Sequence, residues 1–358
     1  MFSTAVRARL ADFLAPGAPF SLASLLGALA IMGLLFIDRR RRLGLQMRLG
    51  AFLKSAFPKR ILLHASTWMD LKMFLVNGLL LGTTYGLAVL ASPFWRDAML
   101  AVLPAMFGVH APTALPDWAI LAIVTPVDIL AVEFGYWLAH FLMHRVPALW
   151  EFHKVHHSAE VMTPLTEWRQ HPVEMILFPN MIALSTGLTY GALVYALGET
   201  AQPLTLLQVN VVFLAFFLTI SHLRHSHVWL PLTGVLGCLI QSPAHHQIHH
   251  SSQSRHFDKN LGFALAVWDW LFGTLCVPGK HEAVTFGIGA EGRDHHGLMR
   301  SFVLPFSKAL PHLRWRQRSD GGTKQALHEH EVKPAPEFET HLRHERDALK
   351  AQALVQAD

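Results

Sequence analysis

Ten histidines in four short motifs carry the chemistry this chain could do: His140-x3-His144, His153-x2-His156-His157, His222-x2-His225 and His246-x2-His249-His250. Spacings of three and four residues stack side chains on one helix face, so each motif presents two or three imidazoles to a common point. Ten converging imidazoles exceed what one ion can bind and suit two ions sharing them. Imidazole suits iron, zinc, copper and nickel alike. Dense triplets are a poor match for a b-type haem, and the His-Glu-x2-His pattern of zinc proteases is absent. Histidines His328, His330, His341 and His344 fall in a polar tail beyond about residue 319 and read as surface residues.

The elements that must position these motifs read as membrane spans. Of the 358 residues, 52% are hydrophobic and 15% charged, against about 25% charged in soluble domains. Apolar stretches at residues 20–37, 73–92, 118–142, 174–197 and 204–220 are each near the ~20 residues that cross a bilayer. Between the first two lie Arg39 to Arg42, Arg48, Lys54, Lys59 and Arg60, which assigns that loop to the cytoplasm. Counting passes from there puts every dense histidine motif on the cytoplasmic side. Arg7 and Arg9 leave room for a re-entrant first segment, so four or five passes are both open. The basic cluster follows the first apolar run instead of preceding it, which opposes a cleaved signal peptide.

The expected fold is therefore an all-α integral membrane protein with four or five transmembrane helices and a cytoplasmic histidine-cluster region holding a di-metal site. Residues 1–117 form an N-terminal membrane region, 118–280 the catalytic domain, and 281–358 a polar cytoplasmic tail. Residues 261–275 form an amphipathic stretch that touches the membrane. The formal charge of +5 sits beside apolar spans, where it suits anionic lipid, and nucleic acid is excluded as a partner. Cys238 and Cys276 have no metal-ligand or disulfide spacing. Gly287-x-Gly289-x2-Gly292 matches a dinucleotide-binding pattern but lacks a surrounding βαβ unit and reads as a loop.

Residues 128–274 resemble the fatty acid hydroxylase and sterol desaturase superfamily of membrane di-iron oxygenases. The likeness rests on Glu133-Phe-Gly-Tyr-Trp-Leu-Ala-His140-Phe-Leu-Met-His144, Trp150-Glu-Phe-His153-Lys-Val-His156-His157, Arg169-Gln-His171-Pro-Val-Glu174, His225-Ser-His227, Ser242-Pro-Ala-His245-His246-Gln-Ile-His249-His250 and Trp268-Asp-Trp-Leu-Phe-Gly-Thr274. The chain has His227 where many members have asparagine and Trp270 where an arginine is usual. The resemblance implies metal ligands at His140, His144, His153, His156, His157, His246, His249 and His250, with His225 and His222 from the third cluster. It implies two iron ions as cofactor, O2 as co-substrate, and a reaction that takes two electrons to hydroxylate or desaturate a lipid.

Three further residues are assigned to the catalytic site. Glu133 is an acid within a span, which defaults to function, and it shares a helix face with His140. Asp258 and Asn260 match a family stretch after the last triplet and are expected to orient a ligand histidine. The chain has no flavin, nicotinamide or iron–sulfur motif, so an external donor such as a ferredoxin with its reductase is expected to dock near Arg145, Lys154, Arg224, Arg255 and Lys259. The expected partners are thus a membrane lipid and that donor, and the expected location is a bacterial inner membrane with the site facing the cytoplasm. The alternatives are a non-catalytic metal-handling membrane protein and a zinc-dependent lipid hydrolase on the same fold.

Overall fold

A computed structural model describes residues 11–313 except 12, 82–85, 110–112, 114, 199 and 200. The expected tail histidines and the turn at Glu199 lie outside the described residues. The described chain is helical apart from one two-stranded hairpin. In chain order the principal elements are α1 (Leu22–Arg42), α2 (Leu49–Ala56), α3 (Ala65–Met73), α4 (Ser92–Phe107), α5 (Asp117–Arg145), α6 (Pro147–His157), α7 (Pro172–Leu197), β1 (Thr205–Leu206), β2 (Val209–Asn210), α8 (Val211–Phe217), α9 (Pro243–His249), α10 (Val267–Phe272) and α11 (Leu298–Leu313).

Among the described residues, three helices are long and apolar enough to cross a membrane: α1, α5 and α7. The other two expected spans do not form as single helices. From Met73 the chain passes into a π-helical stretch, Phe74–Leu81, and the helix that packs beside α7 is the separate α4. Residues 204–220 turn at Leu207 and Gln208, both with positive φ, so the run divides into the β1–β2 hairpin and α8. Seven residues of helix reach only about 10 Å, and Asn210, which caps α8 and donates to Asp128 Oδ2 at 2.8 Å, ties this segment to α5.

The α5–α6 corner places the first two histidine motifs. Pro147 cannot continue α5, holds Val146 in extended backbone, and itself opens α6 as its first residue. The chain therefore turns sharply between His144 and His153. Gly135 lets α5 and α7 touch backbone to backbone, since a Cβ there would stand 2.6 Å from Ile182 Cα. On the other face of α7, Gly187 and Gly191 admit α4, the small-residue packing common between membrane helices. The α7 N-terminus is capped reciprocally: the His171 ring accepts from the Val173 N–H, and Glu174 Oε1 accepts from the His171 N–H at 2.9 Å.

Candidate metal centre

The four motifs converge into two adjoining groups. His140, His144, His153, His157 and His249 form the first, and His156, His225, His246 and His250 the second; within each group the donor atoms lie within 4.8 Å of one another. In the first, His140 Nε2 is 3.0 Å and His157 Nε2 3.2 Å from His153 Nε2. In the second, His225 Nε2 lies 2.8 Å from His246 Nε2, 3.2 Å from His250 Nε2 and 3.4 Å from His156 Nε2. Nitrogens ~2.0–2.1 Å from one ion at octahedral to tetrahedral angles stand roughly 2.9–3.4 Å apart, so these spacings are those of ligands around a cation. Neighbouring residues divide between the groups: His157 faces the first and His156 the second, while His249 faces the first and His250 the second.

Most of the rings are oriented from behind by an acceptor. His140 Nδ1 donates to Leu261 O at 2.8 Å, His249 Nδ1 to Lys259 O at 2.9 Å and His156 Nδ1 to Arg169 O at 3.3 Å. Three others donate to carboxylates: His153 to Glu174 at 2.6 Å, His225 to Glu167 at 3.0 Å and His144 to Asp258 at 3.3 Å. An Nδ1–H committed to an acceptor leaves the Nε2 lone pair facing the group's centre. Nε2 of His144 and of His249 is buried with no hydrogen-bond partner, as expected of atoms that face an ion. Burial first, and then repulsion from neighbouring rings, hold His153, His157, His249 and His250 well below the usual imidazole range; burial and then the Arg224 charge do the same to His246, and burial pushes His156 down to about 3. For these six rings burial favours the neutral form, which is the state that binds metal. Burial alone would raise the Glu167 carboxyl, yet the hydrogen bond from His225 and the charge of Arg224 hold it below the usual range.

Beside the first group an apolar cavity of about 320 Å³ opens between α5, α7 and α8, walled by Val132, Tyr136, Phe178, Phe213, Phe217 and Phe263. Its inner wall meets the metal centre: the Tyr136 and Phe178 rings each lie 5.6 Å from the His140 ring.

Residues 125–274 match the fatty acid hydroxylase family. Over that segment the chain resembles the fatty acid hydroxylase superfamily. It is 30% identical over 193 residues to an ornithine lipid hydroxylase of Rhizobium tropici, covering 54% of this chain and 53% of that protein. It is 30% identical over 162 residues to alkylglycerol monooxygenase of Homo sapiens, covering 44% and 32%. A fatty acid hydroxylase of Lecanicillium is 24% identical over 194 residues, 49% and 48% of the two chains. The matches span about half or less of each relative, and no solved structure matches.

The fatty acid hydroxylase segment brings together nine of the ten histidines singled out by spacing. His222 joins neither group: its Nε2 lies 2.8 Å from Ser24 Oγ on α1, and Phe20 packs edge-on against its ring. Glu133 is fully buried but accepts from the backbone N–H groups of Phe263 and Ala264 at 3.1 and 2.8 Å, anchoring the loop whose Leu261 carbonyl orients His140. Asp258 bonds His144 directly and also reaches Arg145 at 3.4 Å. Asn260 pins the same loop through His245 O and both the N–H and C=O of Cys276. His227 reaches Ser55 O, and His245 is bonded to Ser242 and Gly237 O, so both point away from the two histidine groups.

Two of the cations expected to receive a donor are not on the surface. Lys154 is buried between Glu151 and Glu291, both at under 3 Å, and Arg224 is buried with its Nη2 3.1 Å from His246 Nδ1 and its guanidinium over Phe263. Residues that spacing did not select include Glu174 and Glu167, the carboxylates behind His153 and His225, and the buried pair Arg169–Asp70 at 2.6 Å. Asp70 also accepts from Thr163 and Thr166, fixing the turn that carries Glu167 and the Arg169 carbonyl. Glu174 was detectable as a capping partner three residues after His171, but Asp70 precedes its partner by 99 residues and has no local signal.

Proposed function

We propose that this protein is an O2-dependent di-iron hydroxylase of a membrane lipid. The observation that carries it is the pair of buried histidine groups, most of their rings backed by an acceptor, abutting an apolar cavity between helices long and apolar enough to span a membrane. His140, His144, His153, His157 and His249 would hold one ion and His156, His225, His246 and His250 the other. Bound iron supplies the O2 activation needed to attack an unactivated C–H bond, which no side chain provides.

The protein's own part is positional. The cavity takes an alkyl segment of a lipid directly from the bilayer, because its walls are aromatic and aliphatic and it lies between α5 and α7. Tyr136 and Phe178 bring that segment against His140 and keep water from the metal face. Glu174, Glu167 and Asp258 hold their histidines in one tautomer and supply negative charge behind otherwise neutral ligands. Hydroxylation consumes one O2, two electrons and two protons, and yields one hydroxyl on the lipid and one water. The electrons come from an external carrier of the ferredoxin class with its reductase. Arg145 and Arg255, each more than half exposed, and the partly exposed Lys259 remain as surface cations for it, with the site on the cytoplasmic face of the membrane. The ornithine lipid and ether lipid substrates named for the relatives make amino and ether lipids the first classes to assay.

The test is isotopic. Iron-loaded protein in vesicles of bacterial lipid, supplied with ferredoxin, its reductase and NADPH under 18O2, is expected to give a lipid heavier by one 18O. Label entering from H2 18O with no need for O2 would establish a hydrolase instead, and no lipid product under any electron supply would leave a metal-handling protein.

A further inference from the structure

Helix α11 lies beyond the segment matched to the family, and its two faces differ sharply. Ser301, Pro305 and Ala309 are buried, and the helix packs along α6. On another face Met299, Val303, Phe306, Leu310 and Leu313 are 52–72% exposed. At ~100° per residue these five fall within an arc of roughly 80°, a continuous apolar stripe. Arg300 and Ser307 border it, and Lys308 lies further round.

The depth of this helix is fixed by what it touches. Ala309 packs with Ala148 and Phe152, just past the end of span α5, and with Val173 at the start of span α7. Phe302 and Phe306 flank the ring of His171, the cap of α7. Helix α11 therefore lies at the level where two membrane spans end, which is the bilayer interface, and five exposed apolar side chains at that depth meet the boundary between headgroups and acyl chains.

We propose that α11 is an interfacial helix seated by this stripe on the lipid surface, strapping the metal-bearing helix α6 and the start of α7 to the membrane. The strap reaches the metal centre through an unbroken series of contacts. Phe302 O accepts from His171 Nε2 at 3.0 Å, the His171 N–H donates to Glu174 Oε1 at 2.9 Å, and Glu174 Oε2 holds His153 Nδ1 at 2.6 Å. The inference rests on α5 and α7 being membrane spans and is independent of the reaction.

Nitroxide labels at single cysteines replacing Met299, Val303, Leu310 and Ser307, in the Cys238→Ser/Cys276→Ser background, test it in the full-length protein. The vesicles are phosphatidylcholine with phosphatidylglycerol, and the readout is collisional relaxation by O2 against a water-soluble nickel chelate. Labels at 299, 303 and 310 are expected to be several-fold more accessible to O2 than to nickel, with Ser307 shifted toward nickel. Nickel accessibility at 299, 303 and 310 equal to that at 307 would place the stripe in water and overturn the proposal. Low accessibility to both reagents, with dipolar broadening between labels, would show a second copy on the stripe and overturn it equally. The companion variant Val303→Glu/Leu310→Glu, which alters only exposed positions, is expected to raise nickel accessibility of a label at Met299 several-fold. An unchanged value would also overturn the proposal.

Discussion

Replacing Glu174 by glutamine keeps the volume behind His153 and removes the charge. Both carboxylate oxygens are occupied, Oε2 by His153 Nδ1 at 2.6 Å and Oε1 by the His171 N–H at 2.9 Å, and the side chain is buried. An amide can satisfy only one of these donors, and in either orientation its NH2 meets the other. One buried N–H is left unpaired, at about 1–3 kcal/mol, and the bond to His153 loses its charge assistance. The expected loss in affinity for the first-group metal is 10- to 100-fold, or about 1.4–2.8 kcal/mol. Glu167→Gln removes the corresponding charge behind His225 and acts on the second group. Metal per protein, measured by mass spectrometry after dialysis against a graded series of chelator, should show half the metal of each variant released at a lower chelator concentration than in the wild type. The double variant should release both. A shift of less than twofold in each single variant, with melting temperature unchanged, would refute the assignment of these carboxylates as supports of two separate sites.

Other outcomes follow from single contacts. His222→Ala should retain both metals, since its ring is bonded to Ser24 and not to either group, and a halved metal content would place it back among the ligands. Gly135→Ala inserts a methyl 2.6 Å from the Ile182 backbone and should cost about 1–3 kcal/mol through forced separation of α5 and α7, read as a lowered melting temperature. Burial and the nearby Lys308 and Lys154 push His295 down to about 4, so the folded chain keeps it neutral where the unfolded chain, at about 6.5, is already protonated. Stability is therefore lost as pH falls from about 6.5 toward 4, by at most roughly 3 kcal/mol. His295→Asn should flatten the melting temperature over that window, and an unchanged slope would count against it.

The convergence of the histidine groups was legible because their signal is local. His-x2-His-His within one helix turn needs no tertiary knowledge, and nine of the ten selected rings do converge. His222 has the same spacing to His225 as a ligand pair, yet α1 supplies a closer partner from 198 residues away. Hydropathy identified α1, α5 and α7, whose apolar runs coincide with single helices. It misjudged residues 204–220, where composition is apolar but two left-handed residues and the Asn210 cap divide the run. Lys154 and Arg224 illustrate the same limit for charge: a cation in sequence says nothing about the glutamates or aromatic rings that enclose it.

The division of His156 from His157, and of His249 from His250, between the two groups makes each dipeptide a spacer of fixed length. Ring centres within these pairs stand 5.7 and 5.2 Å apart. Any two ions held here would have their separation gauged twice, by covalent backbone at two different helices. Inserting or deleting one residue within either dipeptide would recalibrate the pair of sites while leaving the number of imidazoles almost untouched.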